Sequence, residues 1–344
     1  MKIVPKLKDA YQFISKITPK RFWNAGLVFV SYYYSKTFNQ PKNWGMPIAI
    51  SIEPTTSCNL RCPECPSGLR SFSRPTGMLQ TDLCYQIIDS LAATTPYLIF
   101  YFQGEPYLNP KFLDYVQYAC SKKMYTATST NAHYLDDKNA KLTIESGLSR
   151  LIISIDGTDQ ETYEQYRVGG KLSKVLEGTK NIVAWKKKLK SSTPFIIFQF
   201  LVVKPNEHQI EDIKSIAKDL GVDEVRFKTA QIYDYEHGNE LIPNNEKYSR
   251  YKKLSDGTYQ IKSSLANQCW KMWHSCVFTW DGQVVPCCFD KDADHGMGSL
   301  QTQSFKEIWN SPAYYNFRLA LFKSRSEIDI CKNCTEGTNI WTTE

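Results

Sequence analysis

The stretch IAISIEPTTSCNLRCPECPSG places Cys58, Cys62 and Cys65 in the loop leaving a short apolar strand. Three thiols this close in sequence meet in space whatever the rest of the chain does. As thiolates they suit an iron–sulfur cube, holding three irons and leaving the fourth open for a ligand. A zinc knob is the competing use of clustered cysteines. Its ligands come as two separated short pairs, and no second pair follows here within zinc-finger distance.

The other cysteines point the same way. Of 11 in 344 residues, six fall between Cys269 and Cys334 (Cys269, Cys276, Cys287, Cys288, Cys331, Cys334), and only Cys84 and Cys120 lie elsewhere. Those two sit in stretches with helical apolar spacing and read as small core residues. A disulfide framework belongs to small secreted chains, whereas the start MKIVPKLKDAYQF lacks the apolar core and cleavage site of a secretory signal. The longest apolar run, Ala25 to Tyr34, is about half the roughly 18 residues a membrane span requires. A reducing cytoplasm and sensitivity to oxygen are therefore expected.

From residue 47 the chain alternates short apolar strands with amphipathic helices, the pattern of repeated βα units. Strands are predicted at 47–53, 97–102, 125–129, 150–155, 195–203 and 224–229, with helices near 81–93, 111–123, 137–146, 171–189 and 207–219. Asn206 is the expected N-cap of the last helix and Gly221 its stop. Six units predict an α/β fold, a partial (βα)6 barrel whose chemistry gathers at the C-terminal strand ends. An open doubly wound sheet is the alternative. The division expected is 1–46 as a basic amphipathic helical segment, 47–235 as the barrel, 236–262 as a polar connector and 263–344 as a small hairpin-plus-helix domain.

In these features the chain resembles the radical SAM superfamily, whose hallmark is Cys-x3-Cys-x2-Cys after the first strand of a partial barrel. The resemblance implies that Cys58, Cys62 and Cys65 hold a 4Fe-4S cluster. Its open iron chelates S-adenosylmethionine, and reductive cleavage gives a 5′-deoxyadenosyl radical that abstracts hydrogen. A reducing protein such as flavodoxin or ferredoxin is implied as partner. Carried over position by position, Gln103, Gly104 and Glu105 stand where the family has Gly-Gly-Glu, the glutamate gripping the cofactor's amino group. Ser129, Asn131, Ser154 and Asp156 match polar strand-end positions near the cofactor. Arg167 is placed to pair with its carboxylate. The residue before the last cluster cysteine, commonly aromatic, is here Glu64. Gln199 and Lys228, polar within apolar strands, are substrate-pocket candidates.

The C-terminal cysteines resemble the SPASM or shorter twitch extension. Cys269-x12-Gly282-x4-Cys287 matches its opening, Cys331-x2-Cys334 its closing pair, and FKEIWNSPAYYNFR its linking helix. One auxiliary 4Fe-4S cluster on Cys269, Cys287, Cys331 and Cys334 is implied. If Asp281-Gly282 makes a two-residue hairpin, Cys276 lies opposite Cys287 as a substitute ligand, and Cys288 points to the other face. Such a cluster leaves no iron open and suits electron transfer, so a net oxidation of an organic substrate is expected. A ribosomal-peptide maturase is the alternative, and a non-catalytic iron–sulfur electron carrier the reading from another class.

The net charge of +7 is confined to one segment. Residues 1–43 hold eight Lys and Arg against Asp9 alone, so the rest sums to zero. With apolar residues interleaved and no recognition motif, a nucleic-acid role is not expected. Two readings stand: a helix pair packed on the barrel with a solvated basic face, or a peripheral contact with anionic lipid.

Overall fold

In the computed structural model residues 3–337 are described. Lys2 and Trp341, and with them the end of the 263–344 segment, lie outside that range. Two helices lead, α1 (Ile3–Ile14) and α2 (Pro19–Phe38). Six parallel strands follow: β1 (Ala49–Ile52), β2 (Tyr97–Ile99), β3 (Tyr125–Thr130), β4 (Arg150–Ser154), β5 (Phe195–Val202) and β6 (Glu224–Thr229). Helices α3 (Pro66–Leu69) to α9 (Ile210–Leu220) fill the crossovers, including α4 (Thr81–Leu91), α5 (Phe112–Ser121), α6 (Asp137–Glu145), α7 (Gln160–Tyr166) and α8 (Leu172–Lys188). Strands β4 and β5 are largely buried and read as near-continuous apolar runs, whereas β6 is half-exposed and carries Arg226 and Lys228. Ile50, Ile52, Leu98, Leu151, Ile153, Ile196 and Phe198 form the core with Ile87, Ile88, Val116 and Ile182 from the helices.

The barrel is open, and its free edge beside β1 is taken by the C-terminal segment. β9 (Ser275–Phe278) runs parallel to β1, with Ile50 opposite Cys276, and β10 (Gln283–Val285) and β11 (Gly298–Ser299) extend the sheet. The hairpin expected there is thus present, but it continues the barrel sheet to nine strands. Glu53, just past β1, fastens the join. It accepts both guanidinium ends of Arg74 at 2.8 and 2.6 Å and the Trp280 N–H at 3.2 Å.

Four local expectations need correction. The turn is one residue longer than Asp281-Gly282. Thr279 N–H bonds to Gln283 O, and Val284 faces Phe278, so Cys276 is out of register with Cys287. Asn206 does not cap α9; it is buried in the preceding 3-10 turn, where it ties Val203 N–H to the carbonyls of Asp156 and Leu201. The connector holds a small hairpin, β7 (Tyr251–Lys253) with β8 (Tyr259–Ile261). After the short α10 (Lys271–His274), the linking helix is two helices, α11 (Phe305–Trp309) and α12 (Pro312–Ser324), before α13 (Asp329–Lys332). Pro312 cannot continue α11 and instead starts α12, with Ser311 as N-cap. Gly221 does stop α9, at φ +83. Cys84 is a buried core residue, and Cys120 packs against the core from a partly buried position.

Candidate active site

The three-cysteine loop is held from below by close backbone packing. Cys65 leads into α3, and a Cβ on Gly68 would lie 2.6 Å from both the N and O of Cys62. Gly104, at φ +73, brings its backbone so near Thr55 that a Cβ would meet the Thr55 carbonyl at 2.2 Å. All three thiols face one cavity and are met by donors and acceptors. Cys58 Sγ accepts the Leu60 N–H at 3.4 Å and Asn131 Nδ2 at 3.9 Å. Cys62 Sγ accepts Arg167 Nη1 at 3.7 Å, and the Cys65 thiol reaches Gln103 Oε1 at 3.9 Å. Burial pushes the Cys58 thiol up to about 12 and raises Cys62 as well. Metal loading must therefore displace protons, as thiolate ligation requires.

The cavity, of about 370 Å³, lies where the C-terminal ends of the barrel strands meet the C-terminal segment. Its walls include Cys58, Cys62, Cys65, Gln103, Gly104, Glu105, Ser129, Asn131, Ser154, Arg167, Gln199 and Lys228, so the residues singled out from sequence converge here with one exception. Asp156 is fully buried behind Arg167, accepting its Nε and, at 2.7 Å, the Leu201 N–H. In that position it holds the guanidinium and does not itself line the cavity. Glu105 is 2 % exposed; it accepts Thr130 Oγ1 and the Asn131 N–H, each at 2.8 Å. Burial outweighs those bonds and raises its carboxyl to about 7. Ser129 and Ser154 hydroxyls sit 3.3 Å apart. Glu64 lines the rim and accepts the Tyr233 N–H at 2.9 Å, so an aromatic residue does stand beside this position, brought by another loop.

Sequence reasoning missed the roof. Arg250, Lys271, Cys288, Lys291 and Glu336 all line the same cavity. Lys271 Nζ pairs with Glu336 and reaches Cys288 Sγ at 3.4 Å. Lys291 Nζ donates to Tyr233 Oη at 2.6 Å. No local pattern marks these residues; only the docking of the hairpin over the barrel brings them in.

Behind the roof lies the second thiol set. Cys269 is within electrostatic reach of Cys287, Cys331 and Cys334. The backbone at Gly337 presses so close that a Cβ there would stand 2.4 Å from Cys269 Sγ. Phe289 N–H and Glu336 N–H point at Cys287 and Cys334 Sγ, each at 3.4 Å, and the buried Arg325 neighbours Cys269, Cys331 and Cys334. Sulfur-directed N–H groups and a nearby cation are what a four-thiolate cluster needs around it, so these residues fit one. Cys276 sits against Tyr314 and Arg318, out of line with Cys287. Cys288 lines the cavity and Cys287 does not; both lie in the turn just beyond β10.

A three-thiol loop over the mouth of a parallel βα barrel, with a second thiol set at its edge, defines a class of iron–sulfur enzymes that work on S-adenosylmethionine. Residues 52–220 match the Radical SAM superfamily, and residues 269–335 match SPASM, an iron–sulfur cluster-binding domain. The chain is 30% identical over 301 residues to the AdoMet-dependent heme synthase of Methanosarcina barkeri, spanning 77% of this chain and 82% of that protein. It is 22% identical over 314 residues to the PqqA peptide cyclase of Gluconobacter oxydans, spanning 86% and 84%. The crystal structure of BtrN in complex with AdoMet and 2-DOIA superposes with a TM-score of 0.54 at 18% identity, covering 86% of this chain and 95% of that one. The chain belongs to the radical SAM superfamily and carries a SPASM domain. It is an enzyme that binds a 4Fe-4S cluster and S-adenosylmethionine, with auxiliary iron–sulfur ligation in its C-terminal part.

Proposed function

We propose that this enzyme abstracts hydrogen from an organic substrate bearing an anionic group, with a net oxidation as the outcome. What carries the reading is that the three thiols, Glu105 and an excess of cations, Arg250, Lys228, Lys271 and Lys291, line one cavity. When bound, the cluster on Cys58, Cys62 and Cys65 with S-adenosylmethionine supplies the hydrogen-abstracting radical, and a single auxiliary cluster on Cys269, Cys287, Cys331 and Cys334 supplies an electron acceptor. The protein's part is binding and exclusion of water. Glu105 receives the cofactor's ammonium, Arg167 stands by for its carboxylate with Asp156 fixing its orientation, and Ser129, Ser154 and Asn131 offer polar contacts. Gln103 and the Gly104 backbone shape the floor.

The substrate end is basic. Among the described residues Lys228 makes no salt bridge or hydrogen bond, with Glu336 within electrostatic reach, and Lys291 bonds to a phenol with Glu64 near it. Arg250, 7 % exposed, reaches only carbonyls, and its Nε has no partner. Lys228, Arg250, Lys271 and Lys291 stand against Glu64 and Glu336, which leaves this end of the cavity net positive and favours an anionic group there. A small acid or phosphate fits this. A peptide presenting an acidic side chain is the second reading, favoured by the similarity to the PqqA peptide cyclase. The enzyme's location belongs to the same proposal: residues 1–43, at net +7, hold it against anionic lipid.

The test uses anaerobically reconstituted protein with dithionite and S-adenosylmethionine. About eight irons per chain and release of 5′-deoxyadenosine are expected. Glu105→Ala should abolish that release, whereas an electron carrier would lose nothing. With a substrate found, Lys228→Met and Lys291→Met should raise KM and leave substrate-free cofactor cleavage intact; unchanged KM would remove the anionic-group reading.

A further inference from the structure

The N-terminal helices show solvent an unusually apolar face. On α1, Lys6, Asp9 and Phe13 turn toward the barrel. Lys6 Nζ pairs with Glu224 at 2.6 Å, Asp9 accepts from Tyr125 Oη and Arg150, and Phe13 lies edge-on to Tyr97 and Tyr125. The opposite face shows Val4, Leu7, Tyr11 and Ile14, each more than 60 % exposed. Helix α2 buries Val28 and Tyr32 in the core but also turns polar groups inward and apolar ones outward. Its inward Arg21 donates to the carbonyls of Lys16, Ala92, Lys122 and Lys123, and Asn24 to those of Met46 and Thr94. Its outward stripe is Phe22, Trp23, Phe29, Val30 and Tyr33. A surface helix of a water-soluble protein has the reverse arrangement. Eleven of the 17 exposed large apolar residues of the described chain fall within residues 4–44, too concentrated to be the ordinary scatter of single apolar side chains.

Charge decides what covers this face. The one acid of the segment, Asp9, is buried and used, while Lys8, Lys20, Lys36 and Lys42 are exposed. Lysines around aromatic and aliphatic side chains, with no exposed carboxylate, match an interfacial helix on anionic lipid. We infer that α1 and α2 form a platform that seats the barrel on an anionic bilayer by the N-terminal ends of its strands. The inference rests on the peripheral reading above and adds an orientation. The platform meets Tyr97, Tyr125, Arg150 and Glu224, the first residues of their strands, whereas the cavity is lined by residues near the other ends, such as Ser129, Ser154 and Lys228. The cavity therefore faces away from the bilayer, and substrate enters from water.

The test mixes the full chain with vesicles of phosphatidylcholine, with and without phosphatidylglycerol. Co-sedimentation with the anionic vesicles is expected, falling on the order of fivefold for each of Lys20→Gln and Lys36→Gln. The Phe22→Ser/Trp23→Ser variant should lose at least about tenfold, with 5′-deoxyadenosine formation unchanged. Hydrogen exchange on anionic vesicles should slow in residues 4–38 and stay the same at the cavity rim, around Glu64 and residues 228–231. Protection at the rim would overturn the orientation and leave peripheral binding standing. No vesicle binding, or equal binding without phosphatidylglycerol, would overturn both. A dimer in solution that Trp23→Ser dissolves would assign the face to a second copy and overturn the inference.

Discussion

Glu105 shows how much one residue's surroundings decide. Its carboxyl is nearly sealed from water and ends up near 7, against an ordinary value of 4.5. Only the ionised form can hold the cofactor's ammonium. S-adenosylmethionine affinity in the reconstituted enzyme should therefore weaken as pH falls through about 7, approaching tenfold per unit below it. Glu105→Gln should bind weakly and with a flat profile, and a wild-type affinity that is level from pH 6 to 8 would rule this out. The residue was legible in the sequence because Gly-Glu-Pro follows an apolar strand. Asp156 was legible as a polar strand-end residue, but no sequence pattern says which of two such groups faces the cavity and which stands behind Arg167.

At the scale of elements, the strands and helices of the barrel could be read from apolar periodicity, while everything that depends on register or long-range docking could not. The hairpin is the sharpest case. Asp-Gly correctly announced a turn, but one extra loop residue moves Cys276 out of line with Cys287 and into the layer of Tyr314 and Arg318. A slip of one residue exchanges the faces of a strand. It follows that Cys276→Ala should keep about eight irons per chain and Cys269→Ala about four. Equal iron in the two variants would mean that Cys276 is a ligand after all. The outward apolar faces of α1 and α2 were equally hidden. Composition shows basic and apolar residues mixed, and the burial of Asp9 and Arg21 beside Val28 and Tyr32 reveals which face is turned inward.

For the whole molecule, the C-terminal segment is not an appendage. β9 pairs with β1 along four residue pairs, and the segment is tied to the N-terminus by Trp273 Nε1 to Lys42 O and Trp309 Nε1 to Gly45 O, both at 2.9 Å. It also supplies the cavity roof through Lys271, Cys288, Lys291 and Glu336. Removing it would strip a central β1 of one neighbour and uncover an apolar edge, the situation that sheets avoid. A chain ending at residue 262 should accordingly be recovered insoluble or unable to cleave S-adenosylmethionine. The intact protein should unfold in urea in one transition, with tryptophan fluorescence and far-ultraviolet circular dichroism coincident. Two separated transitions, or a soluble truncated barrel that releases 5′-deoxyadenosine, would show that the barrel and the SPASM segment fold as separate units. A single transition would mean that the two thiol sets are fixed relative to one another by the same cooperative sheet, which is what an electron path between cavity and auxiliary site requires.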